Sequence, residues 1–334
     1  MFSFVHKCLL LFSPEIAHSL GVFFLKIYQK LLVVFSKHNC RPAFSLKKGH
    51  SESLVFPNRL GLAAGFDKNA ELFVGLSRFG FGFIEVGTVT PEAQEGNPKP
   101  RLWRVEPEGL INQMGFNNCG LKSFQNHLRR LRPFCSVPVL ANIGKNKTTP
   151  NERAIEDYQI LFKGLVNDVD GFVVNVSSPN TQGLRELQSV EFIEHIESAA
   201  PRKPVFVKLA PDLDSEQLIQ LCRKVNESPR LSGIVLTNTS RAIAQRDYEK
   251  DQGGYSGEKL FERSLECVAV ARENLKDGKC IIGVGGVNSP ERAKKMLSQG
   301  ADLIEVYTGF VYQGPKFIKN ISQELSNQSF ELSF

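Results

Sequence analysis

Gly171-Phe172-Val173-Val174-Asn175-Val176-Ser177-Ser178-Pro179-Asn180-Thr181 is the stretch that decides the fold. Its β-branched and aromatic residues read as a buried strand, which runs straight into small polar side chains closed by a proline. Taken singly, it could equally be a strand followed by an ordinary Ser/Asn/Pro turn. The same pattern recurs outward in both directions. Short apolar runs that end in small or polar residues lie at Leu60 to Gly65, Phe83 to Val89, Val139 to Gly144, Val205 to Pro211, Gly233 to Thr239, Ile281 to Gly286 and Leu303 to Gly309. Between them lie stretches of helical spacing, such as Ala154, Ile155, Tyr158, Leu161, Phe162 and Leu165, or Leu218, Leu221, Cys222 and Val225. Eight strands alternating with helices over roughly 250 residues predict an α/β fold, a (β/α)8 TIM barrel, whose active site sits at the carboxyl ends of the strands.

The 334 residues suit such a barrel with additions, and a net charge of +6 is modest for that length. No basic arm or low-complexity tract suggests nucleic acid. The seven cysteines, at 8, 40, 119, 135, 222, 267 and 280, include no Cys-x-x-Cys pair. That argues for reduced thiols and against iron-sulfur clusters or structural zinc. The histidines, at 6, 18, 38, 50, 127 and 195, all miss the expected strand ends, so no histidine base or metal site is expected.

Residues 1 to about 45 differ from the rest. Ser13, Pro14 and Glu15 make a helix start. Ile16, Leu20, Phe23, Phe24, Ile27, Leu31, Val34 and Phe35 then recur at helical spacing, with Lys26, Gln29, Lys30 and Lys37 mostly off the stripe and a shorter apolar piece, Leu9 to Phe12, before it. No apolar run reaches the roughly 18 residues of a membrane span. Two readings stay open: a cap on the bottom of the barrel, or a lysine-bearing helix in the membrane interface.

The expected strand ends supply a site. Strand one exits through Ala63-Ala64-Gly65-Phe66-Asp67-Lys68-Asn69, which implies an anion site. Strand two ends near Thr88 and is followed by an insertion too long for a simple loop. There, Arg101 to Val105, a turn at Pro107-Glu108-Gly109 and Leu110 to Asn118 suggest a hairpin over the mouth. Asn142, Lys208, Thr237-Asn238-Thr239, Gly283-Val284-Gly285-Gly286 and Tyr307-Thr308-Gly309 complete the ring, with glycines after strands seven and eight where barrels commonly bind phosphate. The expected mouth holds amides, two lysines and hydroxyls, with no histidine and no carboxylate cluster. Amides suit a polar uncharged ring and a lysine suits negative charge developing on it, which is the profile of a cofactor site.

Together these residues resemble one family, dihydroorotate dehydrogenase, and within it the quinone-using class 2. The motifs that carry the resemblance are Ala64-Gly65-Phe66-Asp67-Lys68, Asn112-Gln113-Met114-Gly115-Phe116-Asn117-Asn118, Asn175 to Thr181, Thr237-Asn238-Thr239 and Gly283-Val284-Gly285-Gly286. The resemblance implies one FMN per chain and oxidation of (S)-dihydroorotate to orotate in pyrimidine synthesis, with ubiquinone or menaquinone as the final acceptor. Ser178 would take the proton from ring carbon 5 while hydride leaves ring carbon 6, and Thr181 and Phe116 would lie along the proton's path. Class 1 members have cysteine where Ser178 stands. Substrate would meet Lys68, Asn112, Gln113, Met114, Gly115, Phe116, Asn175, Asn180, Asn238 and Thr239. FMN would meet Ala64, Gly65, Phe66, Asp67, Lys68, Thr88, Asn142, Asn175, Lys208, Thr237, Gly257, Gly286, Tyr307 and Thr308. His18, Arg104 and Tyr307 would stand near the quinone.

The resemblance also implies a domain division into residues 1–45, a membrane and quinone-tunnel segment, and residues 46–334, the catalytic barrel. It makes the amphipathic start a peripheral membrane contact, on the cytoplasmic side of a bacterial inner membrane, with no metal and no obligatory protein subunit. Gln113 stands where many members have arginine, and Ala70 where glycine is common. Ser240 to Tyr255 reads as a long surface loop, and Pro179 to Leu187 as a lid with Gly183 as its hinge. The competing readings are a soluble FMN barrel using fumarate or NAD and a catalytically silent flavin-binding or membrane-docking module.

Overall fold

A computed structural model describes residues 2–35, 44–46, 54–276 and 278–326; Lys37, His38, Cys40 and His50 lie outside the described residues. Eight parallel strands close into a barrel: β1 (Leu60–Leu62), β2 (Phe83–Val89), β3 (Val139–Ile143), β4 (Gly171–Asn175), β5 (Val205–Leu209), β6 (Gly233–Leu236), β7 (Cys280–Val284) and β8 (Leu303–Val306). Each pairs with its sequence neighbours, and β8 closes on β1 through Glu305 opposite Gly61. Every expected run overlaps its strand, and β7 begins one residue earlier than expected, at Cys280. Most strands stop short of the polar exits, because small polar residues turn the chain once it leaves the ladder.

The strands read as unbroken apolar runs because both their faces are buried. Phe83, Leu140, Val173, Phe206, Val235, Ile282 and Leu303 fill the barrel interior. Ile84, Val86, Ala141, Val174 and Val207 point outward into the layer beneath the helices. Helices Ala154–Leu165 and Ser215–Glu227 form where the spacing predicts, the second begun by a capping box between Asp214 and Gln217. The two-residue period then decides what lies one layer nearer the mouth. Two positions beyond Phe83, Leu140, Val173, Phe206 and Leu303 stand Glu85, Asn142, Asn175, Lys208 and Glu305, all buried. The barrel is therefore apolar at its base and polar under its mouth.

Strands Leu102–Val105 and Gly109–Asn112 form the expected hairpin, with Leu102 opposite Asn112. A third strand, Gly254–Gly257, pairs antiparallel with the second. The expected surface loop of Ser240 to Tyr255 is thus a helix, Arg241–Tyr248, capped by Ser240 and followed by this strand. Two glycines give Gly-Tyr-Ser-Gly little strand preference of its own, and pairing with Gly109–Asn112 supplies what propensity lacks.

Helices α1 (Phe2–Leu9) and α2 (Pro14–Phe35) precede the barrel. The apolar piece expected at Leu9 to Phe12 is the end of α1 and the turn after it. The α2 helix docks at the mouth. Gln29 donates to the Glu71 carbonyl at 2.7 Å and accepts from the Gly75 amide at 3.0 Å, Lys26 pairs with Glu71 at 2.8 Å, and Glu15 accepts from the Arg101 amide at 3.0 Å. The base is closed instead by strands Phe44–Leu46 and Leu54–Phe56, with the Phe56 ring 5.5 Å from that of Phe83. The division expected after residue 45 falls inside the first of these strands. Much of the predicted apolar stripe faces away from the protein: Phe23 is 57% exposed and Leu31 56%, with Ile16, Phe24 and Ile27 beside them. No described helix is long and apolar enough to cross a membrane.

Candidate active site

The carboxyl ends of the barrel strands surround a cavity roofed by the hairpin sheet, about 1290 Å³ with its open mouth. Ser178 enters it three residues after β4, and its Oγ accepts from the Asn180 amide at 3.2 Å. Asn180 Nδ2 donates to Asn112 Oδ1 at 2.9 Å, and the buried Asn180 Oδ1 has no hydrogen-bond partner. Asn238 Nδ2 donates to Ser177 Oγ at 2.9 Å and to Asn175 Oδ1 at 3.3 Å. Asn112 from the roof, Asn175 at the end of β4, Asn180 in the loop after it and Asn238 in the loop after β6 thus converge with their amides oriented by one another. Lys68 reaches the same cavity. Loss of solvent around its ammonium, then the nearby Arg101 charge, lowers its pKa to about 8.

Beneath these lies the polar layer. Lys208 Nζ meets Glu85 Oε2 at 2.8 Å, and Glu85 also accepts from Asn142 Nδ2 at 2.6 Å and the Ala64 amide at 2.9 Å. Burial opposes ionisation of Glu85, but the Lys208 ammonium and these donors outweigh it and hold the carboxyl below its ordinary pKa. Burial would likewise discharge Lys208, yet its carboxylate neighbours keep it above its ordinary value. Glu305 lies 3.6 Å from Lys208, with both oxygens buried and neither hydrogen-bonded. Burial and the Glu85 charge push its pKa well up.

The expectation of a mouth without histidine is corrected, because His18 lines the cavity, and the carboxylates of Glu108, Glu258 and Glu305 line it as well. His18 comes from α2 and not from a strand end. Glu85 and Glu305 were hidden as single charges inside otherwise apolar strands, and that isolation was the one available signal.

Most of the expected site residues share this wall. Ala64, Gly65, Thr88, Thr237, Gly257, Gly286, Tyr307 and Thr308 line it beside Lys208, and Met114, Gly115, Phe116 and Thr239 line it near Ser178. Others stand behind it. Asn142 accepts from Thr88 Oγ1 at 2.5 Å. Asp67 accepts from the Glu71 and Leu72 amides, each at 2.8 Å, and so fixes the Lys68 loop; burial raises its pKa to about 6. Thr181 is buried outside the cavity wall. Gln113 turns away, donating to the Gln252 carbonyl at 2.7 Å, because alternation along the hairpin sends its side chain to the face opposite Asn112. Ala70 has φ 54°, a left-handed conformation that explains a preference for glycine there.

A second, mostly apolar cavity of about 990 Å³ lies between α1, α2 and the rings of Phe66, Phe79 and Phe310. His18, Leu102, Leu110 and Tyr307 line both cavities and so form their common wall. Burial, then the Lys68 and Arg101 charges, lowers the His18 pKa to about 3, which keeps the ring neutral. Burial pushes the Tyr307 phenol up to about 12. Arg104 donates to the carbonyls of Leu10 at 3.1 Å and Phe12 at 2.7 Å, tying the turn after α1 to the roof hairpin.

Residues 50–328 match the family model for dihydroorotate dehydrogenase. The chain is 42% identical to a dihydroorotate dehydrogenase (quinone) of Christiangramia forsetii over 97% of its own length and 98% of that relative. It is 40% identical to one of Nitratiruptor over 96% and 93%. Among solved structures it resembles the DHODH of Eimeria tenella in complex with ferulenol, with a TM-score of 0.83 and 32% identity over 96% of this chain and 93% of that one.

Proposed function

The chain belongs to the dihydroorotate dehydrogenase family, and from that premise we propose how its residues divide the work. The enzyme oxidises dihydroorotate to orotate in pyrimidine biosynthesis and delivers the electrons to quinone. FMN, one per chain, would be held above the polar layer and would supply the acceptor for the hydride that leaves ring carbon 6 of the substrate. The donor set fits that group. Thr88, Asn175 and Thr237 line the cavity and offer hydroxyls and an amide to a ring edge, Asn142 braces Thr88 from behind, and the buried Lys208 offers a positive charge beside it. Gly286 has φ +67°, and a Cβ there would lie 2.6 Å from the Phe261 backbone, so only bare main chain fits where a phosphate would rest, with Gly257 and Thr308 opposite.

The observation that carries this reading is the single cavity holding a buried serine, an unsatisfied asparagine oxygen and a lysine above the polar layer. Lys68 holds the substrate carboxylate. Asn112, Asn175, Asn180 and Asn238 hold the pyrimidine ring, the free Asn180 Oδ1 accepting a ring N–H. Met114, Gly115, Phe116 and Thr239 close the sides. Ser178 takes the proton from ring carbon 5 and releases it past the Phe116 ring toward the Thr181 hydroxyl. Gln113, Phe66 and Asp67 act from behind, by holding the roof and the Lys68 loop. The second cavity takes the quinone head, with His18, Arg104 and Tyr307 around it. The outward face of α2 rests on lipid at the cytoplasmic side of a bacterial inner membrane.

The test is anaerobic mixing of the purified protein with dihydroorotate while flavin absorbance is followed, then addition in turn of ubiquinone and menaquinone analogues, fumarate and NAD. Bleaching that only a quinone reverses is the expected result. Bleaching reversed only by fumarate or NAD overturns the quinone assignment, and no bleaching overturns Ser178 as a working base.

A further inference from the structure

Arg185 lies in the turn Leu184–Leu187, directly after Gly183 in the loop that follows Ser178. Its guanidinium spends its donors on three separate loops. Nε donates to the Ser177 carbonyl at 3.0 Å, Nη2 to the Thr239 carbonyl at 2.9 Å, and Nη1 to Asp212 Oδ2 at 2.5 Å. Ser177 precedes the proposed base, Thr239 follows a ring-binding asparagine, and Asp212 sits on the loop after β5. The Ser177 and Thr239 loops also meet directly, through Asn238 Nδ2 on Ser177 Oγ at 2.9 Å, so the guanidinium closes a polar ring around the root of Ser178. Asp212 is itself held, accepting from Ser240 Oγ at 2.6 Å and from the Arg241 amide at 2.9 Å. Arg185 and Asp212 themselves stand outside the cavity wall, so the clasp reaches the site only through the loops it holds.

We propose that Arg185 is a positioning residue, a clasp that fixes the Ser178 loop against the substrate-binding Asn238 loop through the anchored Asp212. The planar fork of arginine suits this, since it reaches three acceptors in different directions and a lysine ammonium does not reproduce its geometry. The clasp also divides the lid. Residues 179–182 swing, with Gly183 (φ +67°) as the hinge, while the core residue Leu184, Arg185 and the chain beyond them stay pinned. Substrate exchange then leaves the carbonyl of Ser177, and with it the approach of Ser178 to ring carbon 5, undisturbed.

This proposal rests on the functional reading above, and the test separates the two. Arg185→Ala and Arg185→Lys, loaded with flavin, are mixed anaerobically with dihydroorotate and the reduced enzymes then with a ubiquinone analogue. The expected result is flavin reduction slowed by about 10²-fold in Arg185→Ala, the order of loss that a 1 Å misplacement brings, with reoxidation unchanged. Added guanidinium restores part of the reduction rate, and Arg185→Lys falls between parent and Arg185→Ala. Reduction within about twofold of the parent overturns the clasp, as does a parallel slowing of both half-reactions or a slowed reduction that guanidinium leaves unmoved. Should Arg185→Ala fail to fold, Arg185→Lys decides by the same comparison of half-reactions. A parent enzyme that dihydroorotate does not bleach removes the functional reading; a parent that bleaches beside equally fast variants removes only the clasp.

Discussion

Serine is a weak base in water, so the role proposed for Ser178 depends on its burial, on the Asn180 amide that orients its oxygen and on a path for the departing proton. Replacing it with alanine should slow flavin reduction by dihydroorotate by about 10²–10⁴-fold, the usual range for a positioned general base. Orotate should still perturb the flavin spectrum, because the asparagines remain. Lys68 gives a pH signature. Loss of solvent and then Arg101 lower its pKa to about 8, and only the protonated form would attract the substrate carboxylate proposed to rest on it. The kcat/KM for dihydroorotate should therefore be level with respect to this group below pH 8 and fall above it. In Lys68→Arg the alkaline fall should disappear, since a guanidinium keeps its charge. A profile with the same alkaline limb in both proteins would assign that limb to another group.

Among the elements, α2 divides its faces more sharply than its spacing suggests. Gln29, Lys26 and Glu15 hold it to the barrel, and Ala17, His18, Gly21 and Val22 line the second cavity. That leaves Phe23, Ile27 and Leu31 outside. An exposed apolar row of this kind asks for a covering surface, and lipid is the one the proposed function would supply. Burying a phenylalanine or leucine is worth about 1.5–3 kcal/mol, so Phe23→Glu with Leu31→Glu should lower partitioning onto anionic vesicles by tenfold or more. Flavin reduction by dihydroorotate should stay at the parental rate, because neither side chain lines either cavity. Vesicle sedimentation beside rapid-mixing absorbance checks both halves.

At the scale of the whole molecule, closure of the barrel brings the charged layer together. Lys208 joins Glu85 across 123 residues of sequence and approaches Glu305 from the last strand. Removing one partner of such a pair leaves a buried charge uncompensated, at a cost of about 3–5 kcal/mol. Lys208→Met should lower the unfolding free energy of the flavin-free protein by that order in chemical denaturation, and adding Glu85→Gln should recover part of it. Equal stability of Lys208→Met and the parent would mean that Glu85 takes up a proton at little cost.

The sequence by itself determined the repeat of strand and helix, because strands buried on both faces must be apolar throughout and small polar residues mark each exit. It also exposed Ser178, Lys68, Lys208 and the asparagines, which stand at those exits or in motifs dense enough to carry a family resemblance. Only the tertiary structure decided that Gln113 turns away from the cavity, that Gly254–Gly257 is a strand, and that His18 forms the wall between two cavities. It alone paired Glu85 and Glu305 with Lys208, and Arg185 with three loops. The reason is physical: periodicity reports which face of an element is buried, whereas a contact between elements distant in sequence exists only once the barrel closes and fixes their register.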